Sequence, residues 1–218
     1  MTKTLTHEDE DRLALAATQQ VWAATQEVGW LPNCCIGACR TLQEVLRSVG
    51  IAAKPQVVET TVANAAYMQE AGRLGRAPQS TAEVDAMVRA GGYIVEIGGR
   101  GSGRAPSRNG WQGHLVLLTD RLVLDPTLAQ ATRPAKSIVL MPLAWEHGGR
   151  LPHRHLSGMF ADCAVSIVPR VGDRSYVASP DWRLHSGHRV VAARVIDNMA
   201  ALKQGMLADP PVDSPVVA

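Results

Sequence analysis

An α+β fold, with N-terminal helices packed on a small antiparallel sheet, is predicted by three features of the chain. Apolar residues keep helical spacing over 6–27 and again over 33–49. The middle of the chain then switches to short runs rich in Val, Ile, Leu and Thr, separated by Gly and Asp turns. Finally, 218 residues suffice for one well-buried core and are short for two, and no repeat or linker interrupts them. Residues 1–207 are therefore read as a single domain, and 208–218 as a disordered, Pro-containing tail.

The elements follow in order. Leu13, Ala16, Ala17, Gln20, Val21 and Ala24 give the first helix its stripe, and Thr6 with Asp9 resembles a capping box. Gly29-Trp30-Leu31-Pro32 ends it. Asn33 is the expected N-cap of a second helix that Gly50 closes at C′. Cys35, Cys39, Leu42, Leu46 and Val49 fall on one face of that helix. A strand over 55–62 and a short helix over 63–72 come next. Ser80 and Glu83 then form a capping box for a helix that Gly91-Gly92 stops. Further strands are expected over 93–97, 114–119, 122–125, 137–141, 163–168 and 174–178, with a closing helix over 187–207. The Gly/Arg/Ser segment 98–110 is read as a solvated loop, or a lid because it precedes His114.

Bulk composition is that of an ordinary globular chain. The formal net charge is +2, with 46% hydrophobic and 19% charged residues, so the basic excess of a nucleic-acid binder is missing. No apolar run approaches the roughly 18 residues of a membrane span. The polar N-terminus shows no hydrophobic leader, so a cytoplasmic protein is expected. Three of the four cysteines (Cys34, Cys35 and Cys39, with Cys163 apart) lie within six residues, which suits reduced thiols better than a disulfide framework.

The chemistry concentrates in three segments: Asn33-Cys34-Cys35-Ile36-Gly37-Ala38-Cys39, Trp111-Gln112-Gly113-His114 and Leu124-Asp125-Pro126-Thr127. If Asn33 caps the helix, Cys35 lies in its first turn. There the amides that lack an intrahelical partner and the positive dipole end favour a thiolate. The same amides can receive a carbonyl oxygen on which charge develops. If Asp120-Arg121 is a two-residue hairpin loop, Thr119 faces Leu122, Val116 faces Asp125, and His114 becomes the diagonal neighbour of Asp125 on the same face. A three-residue loop would change the pairing and could separate them. A carboxylate beside an imidazole fixes its tautomer and stabilises its charged form.

Cys35 followed by a helix ending in Val45-Leu46-Arg47-Ser48-Val49-Gly50-Ile51-Ala52-Ala53 resembles the nucleophile helix of the transglutaminase-like, papain-related cysteine superfamily. Gly113-His114 and Leu124-Asp125-Pro126-Thr127 resemble its His strand and its Asp-Pro-Thr strand, so that the likeness covers about 33–134. It implies a papain/transglutaminase-like fold with Cys35 as nucleophile, His114 as general base and acid, and Asp125 as the orienting residue. Leu115 stands where that family often has an aromatic. The implied activity is a cysteine-dependent hydrolase or acyl transferase. It would act on an amide, peptide, isopeptide or thioester of a protein, peptide or small acyl substrate through a thioester, with no cofactor. Water or an amine would resolve the thioester. The alternative is an inactive binding or scaffold module that keeps the fold.

Beside these residues, Cys34 would be the nucleophile if the helix began one residue earlier. Trp111 and Gln112 flank His114 and are the candidates to line the site or to donate to an oxyanion; Gln19, Gln20, Gln26, Trp22 and Trp30 are further donors of the right type. A metal centre built on Cys34, Cys35 and Cys39 would lack the paired Cys-x2-Cys knuckle of structural zinc. His147 is read as a loop residue, and His153, His155, His185 and His188 as surface residues.

Overall fold

Helix α1 (His7–Glu27) opens the chain, and Thr6 and Asp9 exchange both bonds of the capping box. The computed structural model describes residues 4–30, 34–99, 111–183 and 186–208. Helix α2 (Cys35–Ser48) follows, with Cys34 as its N-cap and Gly50 at φ +88° just beyond its C-cap. That start lies one residue later than expected: Cys34 occupies the cap, and Asn33 lies outside the described residues. The expected stripe of Cys35, Cys39, Leu42, Leu46 and Val49 is buried throughout. Complete burial of side chains such as Leu42 and Leu46 stabilises the fold by roughly 2 kcal/mol each.

A long strand, β1 (Lys54–Ala63), organises the sheet. Its first half pairs with β3 (His114–Leu118), its second half pairs with β2 (Ile94–Ile97), and its other edge pairs with β7 (Cys163–Pro169). From β3 the sheet continues through β4 (Leu122–Asp125) to β5 (Leu143–Glu146), and from β7 it ends at β6 (Leu156–Phe160). All seven strands pair antiparallel, so the sheet is larger than the small one expected. Helices α3 (Ala65–Leu74) and α4 (Thr81–Arg89) connect β1 to β2, with Ser80 and Glu83 forming the predicted capping box. Helix α5 (Ser186–Ala208) returns against α1 and α2, where Lys203 donates to the Val49 carbonyl at the end of α2. It extends one residue past the expected end of the domain, and the tail from 209 onward lies outside the described residues.

Two predicted strands are not strands. Over 137–141 there is a single bridge, Arg133 to Ile138, with Ser137 left-handed at φ 54°. The Thr132 hydroxyl there takes up both the N–H and the C=O of Leu140, which a neighbouring strand would otherwise bond. Residues 175–178 wind into a 3-10 turn because Asp173 accepts from both the amide and the hydroxyl of Ser175. Strands β5 and β6 were not expected.

Asn64 caps α3 and joins three segments. Its carbonyl oxygen accepts from the amides of Tyr67 and Tyr93, and its amide donates to Gly91 and Lys136. Because the residue is buried, truncation leaves all four partners to find water. Asn64→Ala is expected to lower stability by about 3 kcal/mol in urea unfolding.

Candidate active site

The β3–β4 hairpin sets the geometry. Thr119 donates its amide to Leu122 across Asp120-Arg121, and Leu117 pairs with Leu124 and Leu118 with Val123. This is the register of the two-residue loop. His147, read from sequence as a loop residue, is buried and braces the turn: its Nε2 bonds the Thr119 carbonyl, its Nδ1 accepts from the Gly149 amide, and its own amide bonds Arg121. Beyond the open end of the ladder, His114 and Asp125 meet.

Imidazole Nε2 lies 2.6 Å from Oδ2 of Asp125, and both side chains are fully buried. Oδ1 of the same carboxylate accepts from the amide of Thr127 at 2.9 Å and from its hydroxyl at 3.2 Å. Thr127 therefore fixes the carboxylate rotamer, which is the physical content of the Asp-Pro-Thr run. Upstream, Gly98 lies against the His114 backbone. A Cβ there would fall 2.5 Å from the His114 nitrogen, and the residue has φ +78°, so only glycine fits on both counts.

Helix α2 brings the sulfur. Cys39 donates its thiol to the Leu115 carbonyl at 3.1 Å, which anchors the helix over the start of β3. Cys35, one turn nearer the N-terminus, is 5% exposed and close enough to His114 to affect its charge. Burial by itself would push the imidazole pKa down. The charge and hydrogen bond of Asp125, with a smaller contribution from nearby Cys35, more than reverse it and bring it up to about 10. With Nε2 held by Asp125, Nδ1 is the nitrogen that remains free to meet the sulfur; it is buried and has no hydrogen-bond partner.

The neighbouring cysteines differ in kind. Burial and the adjacent Cys35 push the half-buried Cys34 thiol up to about 12, with Asp181 adding to the effect. Burial likewise raises Cys39 well above the ordinary thiol range. Among the described residues, no group of three or more His, Cys, Asp and Glu is placed to hold a metal ion. No helix there is long and apolar enough to cross a membrane.

Trp111 and Gln112 line a groove of about 620 Å³ together with Arg170, Asp173 and Ser175; Cys35, His114 and Asp125 do not line it. The Trp111 ring lies over Gly113, where a Cβ would be 2.4 Å from it, and the indole N–H donates to Ser175 Oγ at 2.8 Å. That proton is thus directed at the groove wall and away from an oxyanion. Gln112 is exposed, and its carbonyl is held by Arg170. Gln19 and Gln26 are exposed on α1.

Residues to which the sequence assigns no role complete the surroundings. His188, expected at the surface, is buried edge-on to Trp30 with ring centroids 5.3 Å apart. Both press on Gly37 in the first turn of α2, where a Cβ would lie 2.9 Å from His188 Nε2. Trp182 packs on Tyr176 at 4.7 Å and lies under the Arg40 guanidinium. An unusual concentration of tryptophan is the signal that could have marked this end of α2. Of the loop expected over 98–110, residues 100–110 lie outside the described ones. No family model, no curated protein and no solved structure matches the chain.

Proposed function

We propose that this chain is a transglutaminase-like, papain-related cysteine enzyme that cleaves or transfers an acyl group through a thioester on Cys35. The observation that carries the reading is the buried His114–Asp125 pair, with its 2.6 Å contact between Nε2 and Oδ2, beside the helix start that bears Cys35. In its resting form the ring holds its proton, favoured by the carboxylate behind it, and the helix start lies under the Cys35 sulfur.

The thiolate attacks the carbonyl carbon of an amide, isopeptide or thioester, and the electron pair of the C=O bond moves to oxygen. First-turn amides of α2, which have no intrahelical acceptor, meet that oxyanion. The Cys34 cap supplies no side-chain acceptor that would compete for them. The oxyanion pair then re-forms the C=O as the bond to the leaving group breaks, C–N for an amide or isopeptide and C–S for a thioester. His114 gives its Nδ1 proton to the departing amine or thiol, leaving the acyl group on Cys35 as a thioester. The neutral ring then takes a proton from water or an incoming amine as that nucleophile attacks the thioester, and thiolate departs. Asp125 keeps the ring in register throughout. The half-buried tryptophans beside α2 and the groove along Trp111 and Gln112 offer the surface on which a substrate lies.

Iodoacetamide labelling followed by mass spectrometry near neutral pH tests the reading. Cys35 is expected to take the label first, and His114→Ala to slow it by about a hundredfold. Slow labelling spread over all four cysteines and indifferent to His114 would instead describe an inactive scaffold.

A further inference from the structure

Arg170, at the C-terminal end of β7, has a side chain only 10% exposed, yet it takes no part in the proposed chemistry. Its guanidinium spans three separate segments. Nε and Nη2 donate to Glu59 Oε1 of β1 at 2.9 and 2.7 Å. Nη2 also donates to the Gly98 carbonyl after β2, and Nη1 to the Gln112 carbonyl at 2.8 Å, two residues before His114. Asp173 approaches Nη1 at 3.9 Å. The backbone of Arg170 is itself held, by the Val57 carbonyl at 2.8 Å and the Gln56 side chain at 3.1 Å.

Each of these ties leads toward the imidazole. Val58, between the Val57 and Glu59 anchors, is the β1 partner of His114. Gly98 leaves no room for even a Cβ against the His114 nitrogen, and Gln112 is separated from His114 only by Gly113. Asp125 fixes the far end of the ring, but a ring is placed only as well as its own backbone.

We infer that Arg170 is a positioning residue for His114, clasping the segments on either side of its backbone so that Nδ1 faces the Cys35 sulfur. The inference rests on the thiol–imidazole reading above. Only a guanidinium can hold all three segments at once, because its planar fork sends donors in several fixed directions, whereas an ammonium is a single point of charge on a flexible stem. Lysine keeps the charge beside Glu59 and cannot reach Gly98 and Gln112 together.

The readout is the pH profile of Cys35 alkylation by iodoacetamide, followed by peptide mass spectrometry from about pH 5 to 9, alongside thermal melting. The titratable groups around the reacting pair are Asp125, Cys34 and Cys39, with Asp181 next to Cys34. In the parent protein the profile has a limb that His114→Ala removes. Arg170→Lys is expected to slow alkylation at neutral pH about tenfold and to shift that limb, with a cooperative melt retained. Glu59→Gln leaves the two carbonyl contacts in place. It is expected to melt lower and keep the parent profile.

Arg170→Gln serves as the second variant if lysine does not give a cooperative melt. The inference is overturned if the Arg170→Lys profile superimposes on that of the parent, or if Glu59→Gln moves the profile equally. It is also overturned if neither Arg170 variant melts cooperatively, which would make Arg170 a folding residue. A parent profile with no His114-dependent limb would refute the thiol–imidazole reading itself, and would do so before any Arg170 variant is compared.

Discussion

Cys35→Ala is expected to abolish both turnover and covalent capture while leaving a folded protein. The remaining thiols cannot substitute for the lost sulfur. A group with a pKa of about 12, such as Cys34, is ionised at neutral pH to only about one part in 10⁵. Cys39 is committed to the Leu115 carbonyl, and Cys163 is buried, with its thiol near the Ser137 carbonyl. Loss of one sulfur from the rim of the core costs on the order of 1 kcal/mol, too little to unfold a domain of this size. Measured as label incorporation and as acyl transfer to water or an amine, the variant should fall to background, a loss of at least about 10³-fold. Retained activity would move the chemistry elsewhere in the molecule.

A second substitution, Asp125→Asn, separates orientation from charge. Its carbonyl oxygen can still accept from Thr127, so the local turn survives. Toward His114 it now presents an amide donor. Nε2 must accept, and the ring proton moves to Nδ1, the position from which it cannot take a proton from Cys35. A loss of about 10³–10⁴ in rate is expected from the wrong tautomer alone.

The same variant should invert a pH trend in stability. In the parent, His114 is raised from 6.5 to about 10, so the folded state holds its proton while the unfolded chain has lost it. The stabilisation is complete below about 6.5 and fades as the pH climbs toward 10. Without the carboxylate, burial dominates and favours the neutral ring, so stability should instead fall as the pH drops below about 6.5. Urea titrations at acidic, neutral and alkaline pH distinguish the two slopes; an unchanged slope would mean that the pair is not coupled in the folded state.

How far the chain announces this arrangement depends on what kind of residue makes each feature. Thr6, Ser80 and Gly50 use their own side chains or backbone freedom to start and stop helices, so those boundaries were legible, whereas the cap at Asn64 was not read and the helix it starts was placed two residues early. The His114–Asp125 contact was legible because strand alternation and a two-residue loop leave only one diagonal. Strand β6 was hidden by its own packing. Gly158 at its centre looks like a breaker, yet a Cβ there would fall 2.7 Å from the Trp145 ring of β5. The β6–β7 turn was hidden too, since Ala161 and Asp162 hold its left-handed positions at φ 45° and 63° where glycine or asparagine would have signalled it. Arg170 and His188 gave no local sign at all: their partners lie on distant segments, and only tertiary structure joins them.

Strand β1 is made early and completed late, and the enclosure of α2 shares that delay. During translation, α2 leaves the ribosome after α1 and before the strands and the last helix that complete its enclosure. The Leu115 carbonyl that seats Cys39 follows 76 positions later, and the lysine that finishes the helix comes 154 positions after its acceptor. Pairing of Val58 with Pro169 likewise waits for most of the polypeptide. Such long-range closure is slow relative to local winding. On the proposed reading, a nascent chain thus carries an unassisted cysteine until the strands that bear His114 and Asp125 have been made and packed.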